Sequence, residues 1–153
     1  MTEIDRPTML VVDDDPLVVE MVGQTFQAEG YHVLTAPSGA QALDVCASSG
    51  RRVDLLLTDL HMPGMTGRML AAMLRKSQPG LRVIYLTGFA GDLFTSLMLE
   101  PHEKFIEKPT TLTALRDAVD LHLSLARALS ATGSGSLHTR QAPTAPSAND
   151  AFR

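Results

Sequence analysis

The sequence has one cysteine, Cys46, no tryptophan and few aromatic residues of any kind. A single cysteine excludes an internal disulfide and a zinc site built from several cysteines. The five histidines are scattered, and no two of them have the close spacing of paired metal ligands. Stabilisation is therefore expected to come from an ordinary apolar core, for which the hydrophobic content is sufficient.

The chain also lacks an excess of positive charge and a long apolar run. Its 13 basic residues are outnumbered by 17 acidic ones, for a net charge of −4, so the composition gives no sign of direct nucleic-acid binding. No stretch has the roughly 20 consecutive apolar residues of a membrane-spanning helix. The polar, acidic residues 1–6 do not resemble a signal peptide. We expect a cytoplasmic protein with neither a membrane nor a nucleic acid as partner.

The remaining composition fits one domain followed by a tail. A length of 153 residues with 44% hydrophobic content suits a single domain. From Ala131 onward, 15 of 23 residues are Ala, Gly, Ser, Thr or Pro, a composition that buries too little apolar surface to order the chain. We predict a short extension at 1–7, the domain at 8–130 and a disordered tail at 131–153.

Short apolar runs alternate with amphipathic segments through the predicted domain. This alternation predicts an α/β fold, a flavodoxin-like doubly wound five-stranded parallel sheet of order 2-1-3-4-5 with five helices. One face of the first helix is expected to bury Val18, Met21, Val22 and Phe26. The fourth helix, from Gly91 to Glu100, is the weakest pattern. The predicted strands are Met9–Val12, Tyr31–Ala36, Val53–Leu57, Leu81–Leu86 and Lys104–Glu107.

The stretch from Val53 to Gly67 organises the functional prediction. Its apolar run has the pattern of a strand buried on both faces, and it leads into Asp59 and then into the Pro63–Gly64 turn. A carboxylate at the carboxyl end of a parallel strand faces the crevice where open α/β sheets place their ligands.

In the predicted strand order, the strand ends bring Asp13, Asp14, Asp59, Thr87 and Lys108 to the same crevice. Three clustered carboxylates favour a bound cation, because like charges raise each other's pKa values. Mg²⁺ suits such oxygen ligands. With a hydroxyl and an ammonium added, the set suits a phosphoryl group, and Asp59 is then placed to act as a nucleophile that forms an acyl phosphate.

Four motifs in this order resemble the response-regulator receiver domain of two-component signalling. They are Val-Val-Asp-Asp-Asp-Pro at 11–16, Asp-Leu-His-Met-Pro-Gly-Met-Thr-Gly at 59–67, Leu-Thr-Gly at 86–88 and Lys-Pro at 108–109. The resemblance covers residues 8 to about 128. It implies a phosphorylation switch rather than an enzyme, one that catalyses only its own Mg²⁺-dependent phosphorylation and dephosphorylation.

The resemblance also implies a role for each matching residue. Asp59 would accept a phosphoryl group from a histidine kinase or phosphotransfer protein. Asp14 would bind Mg²⁺ directly, Asp13 mostly through water, and the backbone carbonyl of His61 would be a further ligand. The Lys108–Pro109 bond would be cis. Thr87 and Phe105 would form the switch, with the aromatic ring rotating inward on phosphorylation and changing the surface offered to a downstream protein.

Other functions remain open at this point. A haloacid-dehalogenase-type phosphatase also uses aspartates, a threonine, a lysine and Mg²⁺, but it needs an acidic pair on a strand after the lysine, and here only Asp117 and Asp120 follow, on a helix. A constitutive adaptor with this fold would not need the intact acidic set. A receiver fragment of a hybrid histidine kinase is a further alternative, although Met1 and the tail favour a free-standing protein.

Overall fold

The computed structural model describes residues 6–88 and 99–133 of the chain. In these ranges the elements are β1 (Thr8–Val12), α1 (Pro16–Ala28), β2 (His32–Ala36), α2 (Gly39–Ser49), β3 (Leu55–Asp59), α3 (Gly67–Ser77), β4 (Arg82–Thr87), β5 (Glu103–Glu107) and α4 (Leu112–Gly133). Within the described part of the chain, no helix combines the length and apolarity needed to cross a membrane.

The five strands form one parallel sheet in the order β2-β1-β3-β4-β5. The predicted fold class and strand order are therefore confirmed. Strands β1, β3 and β4 lie inside the sheet and are almost entirely buried, whereas the edge strands β2 and β5 are half-buried. A strand buried on both faces has no need of polar alternation, which explains why the central strands have continuous apolar runs.

The alternating side chains of the central strands fill two separate cores. Met9, Val11, Leu55 and Leu57 pack on one face of the sheet, in a cluster that also contains Phe26 of α1. The intervening Leu10, Val12 and Leu56 pack on the other face with side chains of α2 and α3. This arrangement follows from the two-residue period of a strand, which sends successive side chains to opposite faces.

Polar side chains fix where the helices begin. The Asp15 carboxylate accepts the N–H of Leu17 at 3.0 Å, with Pro16 in the first turn of α1. Ser38 and Thr66 cap α2 and α3 in the same way, and Thr111 Oγ1 accepts the N–H of Ala114 at 3.1 Å at the start of α4. Each cap satisfies an N–H that has no partner within the helix, and so sets the position at which the chain leaves the strand end.

Two details differ from the sequence prediction, and a third prediction lies mostly outside the described residues. Met21, predicted in the buried face of α1, is 51% exposed, because α1 buries a narrower stripe centred on Val22 and Phe26. Helix α4 continues to Gly133, three residues past the predicted end of the domain. Four of the five predicted helices are present, while the one predicted over 91–100 lies outside the described residues except for Leu99 and Glu100, which are not helical.

Candidate functional site

Three aspartates meet at the carboxyl edge of the sheet. Asp13 and Asp14 follow β1, Asp59 ends β3, and one carboxylate oxygen from each lies within 4.8 Å of the other two. Their burial differs, since Asp13 is buried, Asp59 is half-buried and Asp14 is exposed. The parallel register of β1 and β3 brings these strand ends together, as the sequence predicted from strand order.

Lys108 adds a positive charge to this cluster. It follows β5, and its Nζ lies 2.8 Å from Oδ2 of Asp13 and 3.5 Å from Oδ2 of Asp59. The Lys108–Pro109 peptide bond is cis. Burial alone would lower the pKa of Lys108, but the hydrogen bond and charge of Asp13, together with the charge of Asp59, raise it above its ordinary value. The ammonium therefore stays charged and offsets part of the acidic excess.

The pKa of Asp59 is raised above its ordinary value. Burial is the largest cause, and the charges of Asp13 and Asp14 act in the same direction. The charge of Lys108 and the N–H of His61, which donates to Oδ1 of Asp59 at 3.2 Å, oppose the rise. The ionised carboxylate is thus destabilised in the protein alone, and a cation or an esterifying phosphoryl group would relieve the repulsion.

The loop after Asp59 uses glycine at two places for steric reasons. Gly64 has a φ of +80°, a backbone conformation that other residues rarely adopt. A Cβ at Gly67 would overlap the backbone carbonyl oxygen of Asp59. The loop can therefore fold back against the end of β3, where the N–H of Gly67 donates to the carbonyl of Leu60 at 3.0 Å, and the exposed His61 stays beside Asp59.

Thr87 lies at the end of β4 and is buried. Its carbonyl oxygen accepts the N–H of Lys108 at 2.7 Å, which ties the ends of β4 and β5 together. The predicted threonine and lysine are therefore neighbours along the same sheet edge.

Phe105 packs in a group that sequence reasoning missed. It is the register partner of Tyr85 on β4, and the two rings are 5.1 Å apart at an interplanar angle of 31°. The guanidinium of Arg68, on α3, lies over both rings, 5.7 Å from the Tyr85 centroid and 5.5 Å from the Phe105 centroid. The sequence did contain a signal for the Tyr85–Phe105 contact. Tyr85 lies two residues before Thr87 and Phe105 two residues before Glu107, so the two rings are level with each other when these parallel strands pair.

A polar anchor holds the Tyr85 ring. Its hydroxyl donates to Oε1 of Glu103 at 2.7 Å, and the same oxygen accepts from Nη1 of Arg75 at 2.8 Å. Burial, with the hydrogen bond and charge of Glu103, raises the pKa of Tyr85. The neutral phenol is therefore a fixed support against which the Phe105 ring packs.

The sequence matches the model of the response regulator receiver domain over residues 9–120. The chain belongs to the response regulator receiver domain family. It is thus a receiver domain, the phosphorylation-switched module of response regulators, as the motifs predicted.

Two curated relatives and one solved structure illustrate the similarity. The transcriptional regulatory protein GlrR of Escherichia coli (strain K12) is 40% identical over 73% of this chain and 25% of its own length. The sporulation initiation phosphotransferase F of Bacillus subtilis (strain 168) is 32% identical over 76% of this chain and 94% of its own length. A CheY-like receiver domain protein from Methanospirillum hungatei JF-1 has a TM-score of 0.71 at 26% identity, covering 80% of this chain and 98% of that chain.

The length of each match shows which part of the relatives this chain shares. The chain spans a quarter or less of the first curated relatives it matches. What it shares with them is the receiver domain, and their other segments have no counterpart in the match.

The donor set of the acidic cluster fits a hard divalent cation. Carboxylate oxygens are the ligands that Mg²⁺ prefers, and Mg²⁺ usually keeps several waters besides one or two carboxylates. An acidic trio this close, in which the pKa of one member is already raised, can hold a metal ion.

Proposed function

We propose that this receiver domain is phosphorylated on Asp59 by the phosphohistidine of a histidine kinase or phosphotransfer protein. The observation that carries the proposal is the set formed by Asp13, Asp14, Asp59 and Lys108, in which three carboxylates and one ammonium meet at a single sheet edge. The three carboxylates repel one another in this set. A phosphoryl group on Asp59 would relieve part of this repulsion and could pair with the ammonium of Lys108.

In the proposed reaction a carboxylate oxygen of Asp59 attacks the phosphorus atom of the phosphohistidine. The new O–P bond forms as the N–P bond breaks, and the imidazole leaves with the electron pair, so that an acyl phosphate remains on Asp59. Lys108 already lies 3.5 Å from Oδ2 of Asp59. Its ammonium would pair with a phosphoryl oxygen, and the Thr87 hydroxyl would donate to another.

Mg²⁺ is the proposed cofactor. Asp14 and Asp59 would hold it directly, Asp13 mostly through water, with the backbone carbonyl of His61 as a further ligand. When bound it would supply positive charge beside the phosphoryl oxygens. Lys108 would keep its contact with the buried Asp13 and so orient the acidic pair that follows β1.

We expect phosphorylation to be read out through Thr87 and Phe105. When Thr87 turns toward the phosphoryl group, space opens beside the Phe105 ring, whose packing against Tyr85 and Arg68 then changes. NMR of the Phe105 ring resonances before and after adding a phosphodonor tests the coupling. Thr87→Ala should still accept phosphate while leaving the Phe105 resonances near their starting positions, and a wild-type response in this variant would refute the coupling.

The partners follow from this chemistry as proposals. The phosphodonor would be a histidine kinase or phosphotransfer protein, and the signal would leave through the domain surface to a downstream protein or by onward transfer of the phosphoryl group. Onward transfer is favoured by the similarity to the sporulation initiation phosphotransferase F, because this chain covers 94% of that protein. Family membership removes the support for a haloacid-dehalogenase-type phosphatase. The cytoplasmic location stays a prediction.

Phosphorylation with a small phosphodonor and Mg²⁺, followed by intact-mass measurement, tests the central proposal. Wild-type protein should gain one phosphate, and Asp59→Asn should gain none, because the amide is not a nucleophile of this kind. Asp44→Asn is the matched control, since Asp44 is exposed on α2 and far from the acidic cluster in sequence. Undiminished labelling of Asp59→Asn would show that another residue is the acceptor.

A further inference from the structure

The opposite edge of the sheet, where the strands begin, contains a second charged region. A cleft of about 750 Å³ lies there, within the range of small-molecule binding sites. Arginines from four separate segments line it: Arg6 before β1, Arg52 before β3, Arg82 at the start of β4 and Arg127 on α4. We call this region the basic cleft.

Arg82 is the most unusual residue of the basic cleft. Only 7% of its surface is exposed, and in the ranges 6–88 and 99–133 its guanidinium has neither a hydrogen-bond acceptor nor an ion-pair partner. No nitrogen of this guanidinium is both fully buried and unpaired, so the charged end of the side chain contacts the solvent of the cleft, where no described carboxylate neutralises it. The guanidinium is therefore available to bind an anion that enters the cleft.

The rest of the basic cleft has the same excess of positive charge. The guanidinium groups of Arg6, Arg52 and Arg127 also form no ion pair with any described residue. Among the described residues that line the cleft, the one acid is Asp54, and its Oδ2 already accepts the N–H of Thr8 at 2.8 Å. Four arginines and one aspartate leave a formal charge of +3 in a protein whose net charge is −4. The net charge of the chain therefore does not show that the charge of this cleft is positive.

The chemistry of the lining indicates the class of anion. Guanidinium groups bind phosphate oxygens in a bidentate manner, and four of them around one cleft suit more than one phosphate. One wall is apolar, with Leu123, Ala126 and Leu129 of α4. We propose that the basic cleft binds a small ligand with two or more phosphate groups, either an inorganic polyphosphate or a nucleotide whose nucleoside lies on the apolar wall.

The proposal is independent of phosphorylation at Asp59, and it places the ligand against α4. Leu123, Ala126 and Arg127 all belong to this helix. A ligand held between these residues and Arg82 would bind the helix to the start of β4, and so would raise the melting temperature of the whole domain.

Isothermal titration of the full chain in Mg²⁺-free, low-salt buffer tests the proposal with pyrophosphate, ADP and adenosine as probes. Pyrophosphate and ADP should both bind, while adenosine alone should give no signal at about 1 mM, a concentration that detects affinities weaker than micromolar. Tighter binding of ADP than of pyrophosphate would identify a nucleotide, and equal binding would identify a polyphosphate. Both results support an anion site.

Matched charge variants separate this site from general attraction. The double variant Arg52→Gln/Arg127→Gln should bind pyrophosphate roughly a hundredfold more weakly, or about tenfold for each charge-assisted hydrogen bond that the substitutions remove. The control Arg51→Gln/Lys76→Gln removes the same charge from exposed residues outside the cleft lining and should change binding less than about threefold. Both substituted pairs lie on the surface, so the fold is expected to persist, and thermal melts verify this.

Two results would overturn the assignment. One is the absence of binding of both pyrophosphate and ADP to the wild-type protein at about 1 mM in low salt. The other is equal weakening in the two double variants, which would show that only the overall charge attracts the probe.

Discussion

The carboxyl edge of the sheet has a cluster of acids and the amino edge a cluster of arginines, and the two clusters differ in whether a counter-charge lies beside them. At the carboxyl edge, Lys108 makes close contacts with Asp13 and Asp59, so the acidic cluster contains its own counter-charge. At the amino edge, no described acid pairs with Arg82 or with the other arginines of the basic cleft. A parallel sheet allows this contrast because all strand ends of one kind share an edge, so residues far apart in sequence accumulate there.

The two edges also differ in the ionisable groups whose pKa values are shifted. Burial raises the pKa of Asp59 at the carboxyl edge, and burial lowers the pKa of His122, the α4 residue whose Nε2 lies 2.9 Å from the carbonyl oxygen of His102. Both shifts disfavour a charged side chain, but the charged form of aspartate exists at high pH and that of histidine at low pH. Stability near the two edges should therefore change in opposite directions as the pH falls.

The largest effect is expected from removing the built-in cation of the carboxyl edge. Lys108→Met removes the ion-pair partner of the buried Asp13, which keeps only the N–H of Asp15 on its Oδ1. This loss should lower the free energy of unfolding by about 2 to 3 kcal/mol in Mg²⁺-free buffer. Mg²⁺ should restore part of this loss by neutralising the same carboxylates. Urea unfolding with and without Mg²⁺ measures both quantities.

Lys104→Met is the matched control for that experiment, because Lys104 lies on β5, the strand that Lys108 follows, and is in no ion pair with a described residue. It should cost less than about 1 kcal/mol and show no recovery with Mg²⁺. An equal loss in the two variants would mean that the contact of Lys108 with Asp13 contributes nothing to folding.

A smaller effect is expected from His122 near the amino edge. Because burial is the main cause that holds its pKa below the ordinary value of 6.5, the neutral ring is stabilising above that pH, and this contribution is lost as the pH falls below it. Wild-type stability should decrease between pH 7 and pH 5 with a slope of up to about 1.4 kcal/mol per pH unit. His122→Gln should flatten this slope in urea unfolding at several pH values.

His32→Gln provides the comparison for His122, since His32 is only half-buried on the edge strand β2. This variant should keep the wild-type slope. If the two histidine variants have identical pH profiles, the acid sensitivity arises elsewhere.

The smallest effect is expected from neutralising Asp59. Its pKa is raised, mainly by burial, so the ionised form lowers stability at neutral pH and the penalty disappears as the pH falls through the raised pKa. Asp59→Asn should raise the melting temperature by about 3 to 5 °C at pH 7 without Mg²⁺, corresponding to about 1 kcal/mol. The gain should shrink at pH 4.5 and in the presence of Mg²⁺.

Thermal melts of Asp44→Asn under the same conditions supply the reference for that variant. This control should stay within about 1 °C of the wild-type protein, as substitutions at exposed surface sites usually do. If Asp59→Asn melts below the wild-type protein at neutral pH, the contact with Lys108 outweighs the cost of burial, and the carboxyl edge is better neutralised than its geometry indicates.

Local patterns were sufficient to predict the fold and the acidic cluster. Continuous apolar runs identified the buried strands, and the alternation of strands and helices predicted the strand order. Once that order was assumed, Asp13, Asp59, Thr87 and Lys108 had to lie at one edge, because each follows or ends a strand. Helix-face predictions were less accurate, as Met21 shows, because the width of the buried stripe depends on how closely a helix packs on the sheet.

The position of Arg68 at the Phe105 ring and the basic cleft could not be predicted in this way. Tyr85 lies beside Phe105 through strand register, whereas Arg68 reaches the same rings from a helix. The four arginines of the cleft lie before or at the start of three strands and on the last helix, without a motif that joins them.

The sequence by itself determined the parallel sheet, the helix caps and the acidic edge, because these depend on hydrophobic period, on residues next to one another and on the direction of each strand. The tertiary structure alone decided which cations have partners. Lys108 reaches two carboxylates at the carboxyl edge, while Arg82, at the other edge, pairs with no carboxylate of the described residues 6–88 and 99–133. The physical reason is that burial and distance set the energy of a charge, and both depend on segments that the sequence separates and the fold brings together.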